Sequence, residues 1–417
     1  MYLQHVANVA GIVLAALAAR VLFLLLIPST AVSVDMHSWE RVVEHLDRGA
    51  NPYVSTRWLN WPPFWMQVLY LLNAASRFFH VPLFRAVQIL LIMAEAGLTA
   101  ILYLAILSLG TAPSHARRWL MWGISLNPVA IFQVCQHLNF DVILAVWIAL
   151  AMSMLLQFGR TADQDYWLLG GLFLGLGILT KTVPVLLLPL LLAGVRSVNW
   201  RRRLLCAALV LGPVGLGLSI LYVLAPHDIR LKVLGYRSAC AGWGITGCLN
   251  LIAGETAWRA YTIGFARIAP LALATAAVWA YRQPPEQRIL VFLANTLLLL
   301  LPVVGTGFAT QYLYWYVPSF LLAYATGNRT IRVAVGVVYA VAVATCVLVY
   351  GLLPSHGAFM LQLLPDRAEL IKLSDILGSA TVQPLLFLPL YAAFAALFMT
   401  VLLALRAAAR RSCVGTP

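Results

Sequence analysis

Long apolar runs recur along almost the whole chain and are separated by shorter polar segments. A helix needs about 20 mainly apolar residues to cross the hydrocarbon core of a bilayer. Runs near or somewhat below that length fall at residues 8–30, 84–110, 119–135, 141–158, 167–181, 182–195, 204–224, 258–281, 289–305, 310–326, 333–353 and 382–405. The pattern predicts an all-α, polytopic transmembrane helical bundle of about twelve spans. We expect residues 1–417 to form a single integral membrane domain.

Residues 62–79 form one more run, and its pattern is amphipathic. The apolar positions make a single stripe, whereas Asn73 and Arg77 lie off that stripe. Such a stripe is typical of a helix that lies in the membrane interface. Residues 39–46 are also amphipathic. We therefore expect residues 31–82 to form one long loop that contains interfacial helices.

Composition agrees with membrane insertion and excludes nucleic acid as a partner. Apolar residues make up 62% of the chain and charged residues 10%, against about 45–50% and 25% in soluble proteins. The formal net charge is +14, but the arginines occur in short clusters between apolar runs and do not form a continuous basic surface. The alternate loops and the C-terminal tail carry Arg117, Arg118, Arg160, Arg196, Arg201, Arg202, Arg203, Arg282, Arg288, Arg329, Arg332, Arg406, Arg410 and Arg411.

These arginines predict the sidedness of the chain and, through it, the kind of substrate. Because basic loops stay in the cytoplasm, both termini are expected inside, and the long loops 31–82, 225–257 and 354–381 are expected outside. The cytoplasmic loops, of about 6–12 residues, are shorter than the βαβ units that bind nucleotides. Nucleotide sugars and ATP are normally absent outside. A glycosylation enzyme acting there would need a donor carried by a lipid, such as a polyprenyl-phosphate sugar.

The loop 31–82 combines an acid near its start with an aromatic, proline-rich segment. Asp35 follows the first apolar run, and the Trp-Pro-Pro segment 61–63 opens the next helix. This arrangement resembles the first outer loop of the GT-C superfamily of membrane glycosyltransferases, which use polyprenyl-phosphate sugar donors. The resemblance implies that Asp35 is the catalytic base. The alternative is that Asp35 caps a helix that begins near Met36, and the two roles can coexist.

Two neighbours of the acid are further candidates. His37 and Glu40 would be helpers of Asp35 in substrate binding, although ordinary solvent exposure also explains their polar side chains. The superfamily often has paired acids at this place, whereas this chain has Asp35, Met36 and His37. This departure argues against a bound metal, and no other cofactor is expected.

A second motif begins with Asn127-Pro128 and continues to His137 and Asp141. It resembles an Asn-Pro pair followed by a polar turn in GPI mannosyltransferases and in the glucosyltransferases of lipid-linked oligosaccharide assembly. The resemblance implies that His137 and Asp141 line the donor or acceptor pocket. The alternative is that these polar residues cap the next helix.

Three more positions complete the expected substrate-binding set. Lys181 lies between two apolar runs, where an ammonium needs water or an anion, and we expect it to contact the donor phosphate; a lysine at the membrane interface is the alternative. Arg237 and Trp243 lie in an outer loop similar to that of bacterial and GPI-type mannosyltransferases, and Arg237 could clamp the phosphate. Gln311 and Tyr312 also resemble a family element, while an interfacial aromatic belt remains the alternative.

The sequence thus predicts an inverting glycosyltransferase in a bacterial inner membrane, with its active site on the outer face. It would move a sugar from a polyprenyl-phosphate carrier to a hydroxyl of a glycan, glycolipid or other acceptor. Mannose is the expected sugar, and glucose and arabinose are the alternatives. A transporter or flippase of a lipid-linked sugar is the alternative function, although we find no internal repeats of the kind such proteins carry. A non-catalytic membrane scaffold is a third.

Two pairings are also expected. Arg20 and Glu95 lie inside apolar runs, and unpaired charges in a membrane are costly, so we expect them to pair. Cys240 and Cys248 share an outer loop with several glycines, and either a disulfide or two free thiols would fit their spacing.

Overall fold

The computed structural model describes most of the chain as helix. It describes residues 2–27, 34–55, 59, 61–194, 198–234, 244–282, 312–353, 358–379 and 381–414. Within these ranges the regular secondary structure is helical and no strand occurs, as the sequence predicts. The α-helices are α1 Tyr2–Leu26, α2 Val34–Asp47, α3 Pro52–Ser55, α4 Pro63–Phe78, α5 Leu83–Ser108, α6 Pro113–Leu120, α7 Pro128–Ile131, α8 Asp141–Thr161, α9 Gln164–Thr180, α10 Leu188–Ala193, α11 Trp200–Leu224, α12 Pro226–Asp228, α13 Gly244–Arg282, α14 Leu313–Thr326, α15 Arg329–Leu352, α16 Phe359–Leu363, α17 Ala368–Gly378 and α18 Leu388–Val414.

Six helices of the described part are long and apolar enough to cross a membrane. They are Gln4–Leu26, Leu83–Ser108, Asp141–Thr161, Trp200–Ser219, Arg329–Leu352 and Gln383–Ala408. Each coincides with a run that the sequence predicts as a span. The protein is therefore an all-helical chain with the character of an integral membrane protein.

The run expected at 119–135 is not one continuous α-helix. It is divided into the end of α6, a π-helix at Met121–Ser125, the short α7 and a second π-helix at Phe132–His137. Pro128 contributes to this division, because it has no N–H to donate within a helix. Two carbonyl oxygens of the first π-helix accept hydrogen bonds from the side chain of Arg20.

The expected pairing of Arg20 with Glu95 is confirmed. Arg20 Nε donates to Glu95 Oε2 at 2.6 Å, and both side chains are buried. The other guanidinium nitrogens donate to the carbonyl oxygens of Ile124, at 3.1 Å, and of Ser125. The hydroxyl of Tyr314 donates to the second carboxylate oxygen of Glu95. One buried ion pair therefore connects α1, α5, the first π-helix and α14.

Helix α4 buries a different face from the one the amphipathic stripe suggests. Trp65, Leu69 and Asn73 are buried, while Leu71 and Phe79 of the stripe remain about two-thirds exposed. The amide of Asn73 donates to the carboxylate of Asp47 at 3.2–3.3 Å, which ties α4 to the end of α2. Leu71 and Phe79 thus lie on the outer surface, whereas Phe64, Val68 and Leu72 of the stripe are partly buried against the core.

The long helices define two ends of the bundle, named here after α8 as the Asp141 end and the Arg160 end. Helix α5 begins at the Asp141 end, where Gln88 donates to the carbonyl oxygen of Cys135 at 2.9 Å. Helices α8 and α14 also begin there, and α9 and α15 finish there. Helix α1 begins at the Arg160 end, since Asn8 bonds to Tyr103 near the end of α5. The candidate site lies at the Asp141 end.

Helices α9 and α11 approach closely at Gly175. A Cβ at this position would lie 2.7 Å from the carbonyl oxygens of Leu209 and Val210, so any larger residue would push the helices apart. The contact fixes the last turn of α9, and Lys181 is the residue that follows this helix.

Candidate functional site

Asp35 lies in the first turn of α2, which begins at Val34, one residue before it. Because the helix begins before it, Asp35 is not the N-cap residue, and its side chain bonds to residues of another element. Asp35 Oδ2 accepts a hydrogen bond from Asn139 Nδ2 at 2.7 Å and lies 3.3 Å from His137 Nε2. The side chain is 34% exposed. The positive end of the α2 dipole favours an ionised carboxylate at this position.

A tight turn between the second π-helix and α8 brings two donors to Asp35. The π-helix ends at His137, and Leu138 follows in the left-handed conformation with φ 57°. Asn139 Oδ1 then accepts a hydrogen bond from the backbone N–H of Asp141 at 2.9 Å and so closes the turn that starts α8. One amide side chain thereby serves two purposes, since its nitrogen is left to donate to Asp35.

The orientation of His137 is set from the opposite side by Tyr350 of α15. Its Nδ1 lies 2.8 Å from the Tyr350 hydroxyl, which also accepts a hydrogen bond from Gln133 Nε2 at 3.0 Å. A carboxylate only accepts hydrogen bonds, so the proton between His137 and Asp35 belongs to Nε2. No motif beyond residue 330 indicates a function, and Tyr350 was therefore not predicted to belong to the site.

These contacts hold Asp35 in its ionised form. Burial raises the pKa of the carboxyl group, but the hydrogen bond and charge of His137 act against this, together with the charge of Lys181 and the hydrogen bond from Asn139. The result is a pKa below the ordinary value of an aspartate. Both hydrogen bonds end on Oδ2, and Oδ1 accepts none from the part of the chain that the structure describes.

Lys181 and Asp141 form a second charged pair beside the first group. Lys181 Nζ lies 2.8 Å from Asp141 Oδ1, with the lysine side chain 22% exposed and the aspartate 1% exposed. The carboxylate of Asp141 accepts a hydrogen bond from the ammonium and stabilises its positive charge. Lys181 thus remains a cation.

Three aromatic rings surround the ammonium of Lys181. Its Nζ lies 5.2 Å from the ring centre of Phe140, 5.1 Å from that of Tyr312 and 4.9 Å from that of Trp315. A cation within about 6 Å of a ring face is attracted by the ring quadrupole. The rings and the carboxylate together hold the ammonium in one place.

The segment 34–79 packs on the start of α8 through aromatic rings. Trp65 stacks on Phe140 with ring centres 4.9 Å apart, and Trp39 contacts Trp65 edge to face at 5.0 Å. Trp61 contacts Phe140 from another direction at 6.0 Å. Phe140 therefore separates this cluster from Lys181 and connects α2 and α4 to both charged pairs.

Of the predicted site residues, the structure brings together Asp35, His137, Asp141, Lys181 and Tyr312. His37 is not part of this group, since its side chain is 64% exposed and lies 3.5 Å from Glu40 on the same helix.

Several other predicted residues lie outside the described part of the chain. These are Arg237, Trp243, Gln311 and Cys240. The thiol of Cys248 is free in the structure, and its sulfur lies 3.5 Å from the carbonyl oxygen of Pro384.

The site offers a partly exposed carboxylate within electrostatic range of a fixed ammonium. Such an arrangement can accept a proton from a hydroxyl and stabilise an anion. Among the described residues, no group of three or more His, Cys, Asp or Glu side chains is placed to hold a metal ion. Comparison with known protein families gives no match, and comparison with curated proteins gives no significant relative.

Proposed function

We propose that this protein is an inverting glycosyltransferase of the GT-C type, with Asp35 as its general base. It moves a sugar, in the first place mannose, from a polyprenyl-phosphate carrier to the hydroxyl of a glycan, glycolipid or other acceptor. The observation that carries the proposal is the state of Asp35. Its carboxylate is ionised and partly exposed, is held by His137 and Asn139 through Oδ2, and accepts no hydrogen bond through Oδ1 from the described residues.

The chemistry needs one base and a stabilised leaving group. Asp35 Oδ1 takes the proton of the acceptor hydroxyl while the acceptor oxygen forms a bond to the anomeric carbon. The bond between that carbon and the phosphate oxygen breaks, and the phosphate leaves with the electron pair. The configuration at the anomeric carbon inverts, because the displacement is a single step. A carboxylate that acts as the only base is sufficient for this reaction, in contrast to glycoside hydrolases, which usually need two.

His137 and Lys181 support the two halves of the reaction. The N–H of His137 stabilises the carboxylate of Asp35 and fixes its orientation. An ammonium has three N–H donors, of which Asp141 accepts one, so Lys181 can also donate to the phosphate of the donor. Arg237, from the outer loop, is the proposed second cation, because a guanidinium binds phosphate through two parallel hydrogen bonds.

The distribution of charge along the bundle supports the proposed orientation. Asp35, His137 and Lys181 lie at the Asp141 end, whereas the clusters around Arg118, Arg160 and Arg329 belong to the Arg160 end. We propose that the Arg160 end faces the cytoplasm of a bacterium, together with both termini, and that the site opens on the outer face of the inner membrane. The remaining apolar segments would complete about twelve spans.

A transfer assay tests this function. The purified protein is reconstituted in vesicles with polyprenyl-phosphate mannose, glucose or arabinose, each labelled in the sugar, and a panel of glycolipid acceptors. The proposal expects one sugar to pass to an acceptor with inversion at the anomeric carbon. Movement of intact donor from one leaflet to the other, without breakage of its sugar–phosphate bond, would instead support a flippase.

A further inference from the structure

Two neighbouring cavities lie far from Asp35, at the Arg160 end of the bundle. The first has a volume of about 360 Å³ and is lined mainly by apolar and aromatic side chains of three neighbours, namely α6 with its following π-helix, α14 and α15. Trp122, Phe320 and Tyr324 are among these side chains, and Arg118 lies at its border. Helix α5 separates the two regions along the bundle, since the 20 residues between Gln88 and Ser108 rise about 30 Å.

The second cavity adjoins the first, and most of the residues that line it are polar or basic. It has a volume of about 480 Å³ and is lined by Gln4, Asn8, Ser114, Arg117 and Arg118, together with two side chains that begin the π-helix. Arg118 and Trp122 line both cavities, which therefore lie side by side. A cavity with basic and hydrogen-bonding side chains thus adjoins an apolar one.

The sequence of α6 explains why the arginines point into this chamber. Ala116 and Leu120 are the buried residues of the helix, so Arg117 and Arg118 lie on its exposed side. Neither guanidinium forms an ion pair with any residue in the described ranges. Two adjacent cations without a protein carboxylate are suited to an external anion.

We propose that the two cavities together bind one anionic phospholipid of the surrounding bilayer. The phosphate of its headgroup contacts Arg117 and Arg118, and one acyl chain occupies the apolar cavity beside Trp122 and Phe320. Basic pockets between transmembrane helices are known to hold anionic headgroups, and each arginine near such a surface adds a comparable share of binding. An apolar cavity at the perimeter of a membrane protein is in contact with acyl chains, which are the most abundant ligand there.

The acyl-chain part of the proposal can be tested at Gly336. This residue of α15 lines the apolar cavity, and a Cβ built on it meets no atom within 4 Å. The variant Gly336→Phe should therefore fill the cavity without displacing the backbone. Gly97→Phe is the matched control, because Gly97 lies in the long helix α5, also meets nothing within 4 Å, and does not line either cavity.

The headgroup part can be tested with arginine variants. The double variant Arg117→Gln/Arg118→Gln removes both cations, and Arg160→Gln is its control, an exposed arginine at the same end of the bundle that lines neither cavity. Loss of two such arginines should weaken binding of an anionic lipid by about tenfold or more. Binding of phosphatidylcholine, which carries no net charge, should change much less.

The measurement is native mass spectrometry of each protein, released from nanodiscs that contain phosphatidylglycerol and phosphatidylcholine in equal amounts. The expected result is preferential retention of one phosphatidylglycerol by the wild type, Gly97→Phe and Arg160→Gln, and its loss from Gly336→Phe and the double arginine variant. Thermal unfolding midpoints identify any variant that fails to fold. Equal retention by all folded variants would overturn the proposal. The proposal would also be overturned if the wild type retained added polyprenyl phosphate in place of phosphatidylglycerol and the same variants lost it.

Discussion

Replacing Glu95 by glutamine removes one charge of the buried ion pair while keeping the size of the side chain. Arg20 is fully buried and donates to Glu95 at 2.6 Å and to the carbonyl oxygens of Ile124 and Ser125. A guanidinium cannot release its proton under ordinary conditions. The variant Glu95→Gln therefore leaves an uncompensated charge in the bundle, and breaking a buried pair in this way costs about 3–5 kcal/mol.

Removal of the cation should cost less than removal of the anion. After Arg20→Met, the carboxyl group of Glu95 keeps one polar partner, because it still accepts the hydrogen bond from Tyr314. The lost hydrogen bonds to the two backbone carbonyls should cost about 1–3 kcal/mol. In the double variant no charge remains, and replacing a whole buried pair is often close to neutral. The double variant should therefore be more stable than Glu95→Gln alone.

The assay is a double-mutant cycle on the four proteins in one detergent, with the midpoint of thermal unfolding as the measurement. We expect Glu95→Gln to have the lowest midpoint and the double variant to recover most of the loss. If the loss in the double variant equals the sum of the two single losses, the two side chains do not interact, and the reasoning is refuted.

Three further predictions concern the candidate site. Lys181→Met leaves the buried carboxylate of Asp141 unpaired and should destabilise the protein by about 3–5 kcal/mol; unchanged thermal unfolding, or no recovery on adding Asp141→Asn, would contradict the pairing. Tyr350→Phe frees one side of His137 and should lower the transfer rate about tenfold, with an unchanged unfolding midpoint as the control. Since the pKa of Asp35 is lowered, the transfer rate should persist down to about pH 4 and fall only below it. His137→Gln should move that fall to higher pH, and a fall at an unchanged pH would exclude the contact.

The sequence predicts those parts of the structure in which a residue type needs a particular environment, such as a buried charge that needs a partner. Arg20 and Glu95 are charges inside apolar runs, and the cost of leaving such charges unpaired predicted their contact. Asp35 and His137 were predicted separately from local motifs, and they meet in the structure at 3.3 Å. The six long apolar helices follow from length and composition alone.

The parts that were missed depend on contacts between residues distant in sequence. Tyr350 is a single tyrosine in an apolar helix, and nothing in its neighbourhood separates it from an ordinary buried ring until His137 is seen 2.8 Å away. The pairing of Lys181 with Asp141 was not predicted, because 40 residues separate the two in the sequence. The π-helices in the run 119–135 were not predicted, because the run was interpreted with the period of an α-helix throughout.

The central claim is that the carboxylate of Asp35 accepts a proton during glycosyl transfer. Its most direct test is the rate of transfer from the preferred polyprenyl-phosphate sugar by purified Asp35→Asn, measured beside Glu40→Gln, an acid on the exposed side of the same helix. The asparagine keeps the shape of the side chain but cannot act as a base. We expect a loss of about 10²–10⁴ in the rate for Asp35→Asn, with an unchanged unfolding midpoint and near-normal transfer by Glu40→Gln. Near-normal transfer by a folded Asp35→Asn protein would contradict the account.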